Sequence, residues 1–191
     1  MVRDYEPITE SDNALVKSFE MENILFKTFE KHIVGQQLKT MSFDDVESFI
    51  IFSLSVQNRR KARAGRGFEN HIKHILELNN INFSYNISTE NNHKPDFLFP
   101  DIEHYHNNKF NSNKLFMLAA KTTCKDRWRQ VLSEADRIDK KHLITMEPEI
   151  SNQQLNQMKA KNLQLVIPKN IQNTYSKNQI IDLISFQEFI Y

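Results

Sequence analysis

Cysteine is almost missing from this chain: Cys124 stands alone among 191 residues, so an internal disulfide is excluded and a reducing compartment is the expectation. Glycine and proline are scarce too, three and five. That leaves no Gly/Ser linker, and no repeat at solenoid periods divides the sequence. Apolar runs stay well short of the roughly 18 residues of a membrane span, and the opening MVRDYEPITE lacks the apolar core of a secretion signal. A soluble, cytoplasmic protein with no membrane partner is expected. Surplus charge is also absent. With a formal net charge of +1, bulk electrostatics do not announce a nucleic-acid partner, and any basic surface has to be local. What remains is a length suited to a single domain, 1–191, built on one hydrophobic core.

Within that domain the period of the apolar residues changes along the chain. Leu15, Phe19, Leu25, Phe26, Phe29 and Ile33 recur at helical spacing over 12–33, and Phe43, Val46, Phe49, Ile50 and Leu54 do so over 42–60, with Ser42 followed by Asp45 as the N-cap. A third helix is predicted over 67–78, with Phe68, Ile72, Ile75 and Leu76 facing inward. Residues 1–66 therefore read as a mostly helical part. From there to 191 the pattern is mixed. Strands are predicted at 82–87, 96–100, 114–121, 142–146 and 163–168, helices at 125–138 and 153–161, and a polar loop at 101–113. The apolar tail, with Ile180, Leu183, Phe186 and Phe189, should pack on the core. The sum is an α/β fold: a mixed β-sheet flanked by helices, with a helical N-terminal part.

Hydrolysis of a phosphodiester at neutral pH needs a nucleophilic water, stabilisation of charge on phosphorus and help for the leaving oxygen, all of which a carboxylate-held Mg²⁺ assists. Carboxylates and a lysine must then converge. Asp96, after Pro95, opens one predicted strand and Lys121 ends the next, so pairing of the two brings both side chains to one sheet edge. This is the logic of the PD-(D/E)xK nucleases, whose second acid stands two before the lysine; here that position is Ala119. Glu134, thirteen residues past Lys121 and two turns into the predicted helix, can point back and replace it, with Asp126 and Asp136 as poorer candidates. Glu69 shares a helix face with Ile72 and Leu76, so it points into the protein or a cleft. Taken singly, a Pro-Asp pair is ordinary turn chemistry and each of the others a plausible surface charge. Their joint spacing carries the reading.

The run from His93 to Pro100, the segment Leu118-Ala-Ala-Lys-Thr-Thr-Cys-Lys-Asp-Arg-Trp-Arg-Gln130 and the pair Glu134-Ala135 resemble the catalytic domain of the EcoRII restriction endonucleases, in the wider EcoRII/PspGI/SsoII group. In that group the second acid has moved onto the helix, so Ala119 is no defect. The likeness extends through 141–148 and 163–168 and covers roughly 60–190, with the N-terminal helices less clearly matched. It implies a restriction-endonuclease-like core and a type II restriction enzyme that cuts double-stranded DNA at 5′-CCWGG. It implies a metal set of Asp96, Glu134 and Ala120 for Mg²⁺, Lys121 orienting or activating water, and Glu69 as an accessory acid. The family's larger member carries an N-terminal effector domain that restrains cleavage; 191 residues leave no room for it, so a free-standing cutter or an isolated catalytic domain without such autoinhibition is expected.

Lys125, Asp126 and Arg127 follow the lysine directly. Basic groups suit the N7 and O6 acceptors of guanine, and a carboxylate suits the amino group of cytosine. The resemblance assigns them the same base-reading role. Arg59, Arg60, Lys61, Arg63 and Arg66 place five positive charges in eight residues without an acid among them, as phosphate contacts would require. A solvated basic loop is the plainer reading of that run, and Trp128 is open between core and interface. A palindromic site calls for a C₂ homodimer. Relatives manage the odd central pair by base flipping, for which Tyr5 is one of several N-terminal possibilities. A DNA methyltransferase acting on the same site would be the cognate partner in a prokaryotic cell. Two rival readings stay open: a repair or junction nuclease on the same core, without sequence readout, and a DNA-binding module that has lost catalysis.

Overall fold

A computed structural model describes residues 10–125 and 127–191. Two long helices come first, α1 (Ser11–Thr40) and α2 (Val46–Leu78). The N-cap of α2 is Asp45 rather than Ser42, because the Asp45 carboxylate accepts the otherwise free N–H of Ser48 at 2.7 Å. The second and third predicted helices are one: α2 runs without a break through the basic stretch 59–66. Arginine, lysine and alanine sustain a helix well. Gly67 sits where a Cβ would lie 2.2 Å from the Glu22 carboxylate of α1, so a larger residue there would displace that side chain. Glu22 bonds His71 Nε2 at 2.9 Å and lies 3.5 Å from Arg63, and Glu30 pairs with Arg60 at 2.8 Å. Polar pairs thus line much of the seam between the two helices.

The expected apolar faces are accordingly split. Leu15 on α1 and Phe68, Ile72, Ile75 and Leu76 on α2 are buried against the sheet. Farther out, Leu25, Phe29 (66% exposed), Ile33, Val46 (75% exposed), Phe49, Ile50 and Leu54 face solvent.

The five strands, β1 (Ser84–Tyr85), β2 (Phe97–Phe99), β3 (Phe116–Lys121), β4 (Lys141–Thr145) and β5 (Leu163–Val166), lie in sequence order across one sheet. The first three are antiparallel and the last three parallel. Parallel neighbours need crossovers, here through α4 (Trp128–Val131) and α5 (Asn152–Ala160). Alternation along β3 divides the core: Met117 and Ala119 pack with Trp128, Val131 and Met158, whereas Leu118 and Ala120 pack with Phe68, Ile72 and Phe186. The indole of Trp128 therefore belongs to the core.

Two connections differ from expectation. The polar stretch 101–113 holds a short helix, α3 (Ile102–His106), capped by Asp101 and anchored by the buried Tyr105. The predicted helix at 125–138 shrinks to the four residues of α4. The buried ammonium of Lys141 needs acceptors and takes the carbonyls of Ala135 and Ile138, at 3.3 and 2.8 Å, while Ala135 adopts φ 50°. A helix does not continue through a left-handed residue.

The tail closes both faces through α6 (Lys169–Gln172), α7 (Lys177–Ile180) and α8 (Phe186–Ile190). Leu183 and Phe186 are buried, Ile184 bridges to Val166, and Asp12 of α1 accepts from the Phe186 N–H at 2.8 Å. Among the described residues no helix is long and apolar enough to cross a membrane.

His142 lies buried between Phe116 and Phe189, and its Nδ1 has no hydrogen-bond partner. Burial, reinforced by Lys140, pushes its pKa down to about 4. The unfolded chain, titrating at about 6.5, then binds more protons over the interval, so stability falls as pH drops from about 6.5 toward 4. Thermal unfolding should show a loss of about 1 kcal/mol per pH unit between about pH 6.5 and 5. His142→Phe should flatten that slope; equal slopes for both proteins would discard the assignment.

Candidate active site

The antiparallel register Phe97↔Leu118 sets Asp96 at the open end of the β2–β3 pair. The Asp96 backbone carbonyl accepts from Asn86 N, and its side chain reaches across to β3. There Oδ2 accepts from the Ala120 N–H at 2.7 Å and from Lys121 Nζ at 2.6 Å, with both side chains about 13% exposed. The two bonds share one carboxylate oxygen, leaving Oδ1 available for a cation. By strand alternation Lys121 shares the face of Met117 and Ala119, the side on which α4 packs.

From that side comes Glu134. It stands past the end of α4, in the turn closed by Lys141, and not two turns into a helix. Its Oε2 is buried without a hydrogen-bond partner. Burial raises its pKa to about 7, with Asp96 adding to the shift and Lys121 and Lys141 opposing it. Glu134 therefore feels Asp96 and Lys121 electrostatically, and so does Glu69 across the site. Glu69 sits half-buried on α2, where burial raises its pKa and the phenol of Tyr85, donating at 2.7 Å, draws it back down.

These donors fit a hard divalent cation. Among the described residues no group of three or more His, Cys, Asp or Glu side chains could hold a metal unaided. Magnesium, however, is commonly bound through one or two carboxylates with waters and substrate oxygens completing its shell. Asp96, Glu134 and the Ala120 backbone match that economy. The partnerless oxygen of Glu134 is the observation in their favour, since a buried carboxylate oxygen needs a donor or a cation.

A cleft of about 1020 Å³ opens beside these groups between α1, α2 and the end of β3. Glu69, Lys121, Lys125, Arg127, Lys61 and Arg63 are among its walls. Lys125 and Arg127 lie in the connection leading into α4; Asp126 and Tyr5 lie outside the described residues. The basic run is helical and not a loop, and its charges spread around more than one side of α2. Arg60 and Arg63 have partners on α1, with the Arg63 guanidinium 4.4 Å over the Phe26 ring, whereas Arg59, Lys61 and Arg66 are exposed. Three contributors escaped sequence reasoning. Tyr85 left a trace in the alternation of 82–87, but nothing tied it to Glu69. Lys141 and Glu147 fell inside the matching segment 141–148 without a reading of their own, because their hydrogen bonds join residues that no local pattern links to them.

A family model described as "EcoRII C terminal" matches residues 26–190, reaching back into α1. The type II restriction enzyme EcoRII of Escherichia coli is 42% identical over 149 residues, covering 78% of this chain and 37% of that protein. The type II restriction enzyme SsoII of Shigella sonnei is 27% identical, covering 80% of this chain and 58% of that protein. The chain thus spans less than two thirds of either relative. Among solved structures, a PspGI–substrate DNA complex matches 95% of this chain and 78% of that one, with TM-score 0.75 and 15% identity. Metal-depleted Ecl18kI with uncleaved DNA matches 94% and 67%, with TM-score 0.73 and 21% identity. At these identities the two structural likenesses are of fold, and the fold is that of restriction endonucleases.

Replacing Tyr85 by Phe removes a donor from Glu69 without changing ring volume. The Glu69 carboxyl should then titrate higher than in the parent protein, as read by ¹³C NMR. A downward or absent shift would remove Tyr85 from the site.

Proposed function

The chain belongs to the EcoRII C-terminal family, and from that premise we propose that it is a type II restriction endonuclease module that cuts double-stranded DNA at 5′-CCWGG with Mg²⁺. The observation that carries the reading is the ion pair of Asp96 with Lys121, whose lysine lines a cleft with basic walls, together with the buried, partnerless Glu134 oxygen that feels both charges. A DNA cutter in the cytoplasm, with a methyltransferase protecting the same sequence, is the setting this activity implies.

In this reading Asp96, Glu134 and the Ala120 carbonyl hold the cation. When bound, Mg²⁺ polarises the scissile phosphate and eases deprotonation of an attacking water. Lys121, fixed by Asp96, directs its ammonium at that water or at a phosphate oxygen, and Glu69 orders solvent on the opposite wall. Lys125, Asp126 and Arg127 read the G·C pairs. Exposed Arg59, Lys61 and Arg66 contact phosphates, while Arg60 and Arg63 brace the helical wall and add to its positive potential.

Plasmid DNA incubated with the protein and Mg²⁺ should give defined fragments whose sequenced ends fall at CCWGG. A fragment pattern without a consensus would favour a repair or junction nuclease, and binding without cutting in Mg²⁺ or Mn²⁺ an inactive module. Asp96→Ala and Lys121→Ala should each lower cleavage by at least about a thousandfold while leaving duplex binding largely intact.

A homodimer matches the twofold symmetry of the site. The apolar side chains displayed along outer α1 and α2, Ile24, Phe29, Ile51 and Leu54 among them, support self-association through the helical hairpin, because solvated patches of that kind commonly mark interfaces. The double variant Phe29→Asp, Ile51→Asp should sediment as a monomer and accumulate nicked over linear plasmid. An unchanged dimer would move the interface elsewhere.

A further inference from the structure

Between Lys121, which ends β3, and Trp128, which begins α4, the described residues 122–125 and 127, Lys125 and Arg127 among them, belong to no helix or strand. A segment that reads bases has to hold its backbone still, because a bidentate contact to a base edge depends on placement and angle. Nothing in local secondary structure supplies that rigidity. Lys125 has φ 27°, in the left-handed region that non-glycine residues seldom adopt.

The restraint comes from the other side of the sheet's end. The Glu147 Oε2 accepts from the Cys124 N–H and, at 3.2 Å, from the Lys125 N–H. Successive N–H groups in such a turn form a small anion-binding concavity, and here a carboxylate of the same chain fills it. Gln154 Nε2, on α5, donates to the Lys125 carbonyl at 2.5 Å. Both peptide groups of the strained residue are thereby held from outside. Glu147 is itself pinned: its backbone carbonyl accepts from the Tyr175 hydroxyl at 2.6 Å and its N–H donates to Thr145 Oγ1 at 3.2 Å. Thr145 pairs in register with Lys121 across β3 and β4. The brace and the catalytic lysine are therefore mounted on adjacent strand ends.

We propose that Glu147 is a positioning residue for sequence recognition, holding the Cys124–Lys125 turn so that Lys125 and Arg127 meet the base edges in fixed register with Lys121. The inference rests on the DNA-cutting reading above. It assigns Glu147 no contact with DNA or metal; it acts through the backbone it restrains. Gln154 is the second arm of the brace, reaching the same residue from a different element.

The test pairs equilibrium binding with amide exchange. A short labelled CCWGG duplex and a scrambled duplex are titrated with parent protein, Glu147→Ala, Glu147→Gln and Gln154→Ala, without divalent metal. Glu147→Ala is expected to weaken binding to the specific duplex about tenfold and to the scrambled one by less than about twofold, because phosphate contacts remain. Glu147→Gln, which keeps an acceptor oxygen, should recover most of the discrimination, and Gln154→Ala should lower it in the same direction. Hydrogen exchange in the DNA-free protein should show the Cys124 and Lys125 amides protected in the parent and Gln proteins and exposed in the Ala variant. Equal losses on both duplexes, a Gln variant no better than Ala, or unchanged exchange would each overturn the proposal. If Glu147→Ala does not fold, the Gln154→Ala ratio and the parent's exchange decide it. Should the parent bind both duplexes alike, the sequence-specific reading fails, and the exchange comparison still decides whether Glu147 braces the turn.

Discussion

One carboxylate oxygen organises the centre of this molecule. Asp96 Oδ2 receives both the Ala120 N–H and the Lys121 ammonium, so it completes the pairing of β2 with β3 beyond the last strand residue and fixes the charge at the end of β3. The hydrogen bond to the backbone is a matter of architecture and the ion pair a matter of chemistry, yet the same atom makes both. A charge-assisted bond of this kind, largely shielded from solvent, is stronger than its neutral counterpart. The position of Lys121 is consequently as well determined as the sheet itself.

Around this fixed pair, the other acids are left wanting. Glu134 reaches the site from a turn that is strained at Ala135 and held by the buried Lys141, and its oxygen finds no partner. Glu69 shares its proton affinity with Tyr85. Both titrate above the usual carboxylate range because burial disfavours their charge. A cation held by Glu134 with Asp96, as proposed above, would offset that cost at Glu134.

The sequence was most informative where chemistry and period coincided. Asp96 and Lys121 lie at the ends of short, continuous apolar runs bounded by polar residues, which read as buried strands. Glu134 was legible through its distance from Lys121, although the helix on which it was imagined stops short: Ala135 turns left-handed, the buried Lys141 ammonium closes the turn on the Ala135 and Ile138 carbonyls, and no local pattern announces a contact of that type. In the same way, helical periodicity marked the apolar residues of α1 and α2 correctly but could not say what they face. Leu15 and Phe68 meet the sheet, while Phe29 and Val46 meet solvent, because a period identifies a stripe and not its partner. The continuity of α2 was hidden by Gly65 and Gly67, which resemble a break in sequence; in space Gly65 faces no neighbour, and only Gly67 lies close against the Glu22 carboxylate of α1.

That continuity ties distant parts of the protein to one rigid axis. The 33 residues of α2 extend about 50 Å at 1.5 Å per residue, and along them lie the solvent-facing apolar tip, the basic stretch and Glu69, in that order. Their relative bearings are set by counting residues. A single insertion midway would swing the tip about 100° around the axis relative to Glu69, whereas a side-chain change would leave the bearing intact. Descendants of this chain are thus free to vary the composition of the helix far more than its length, and gains or losses within it should come in steps close to whole turns.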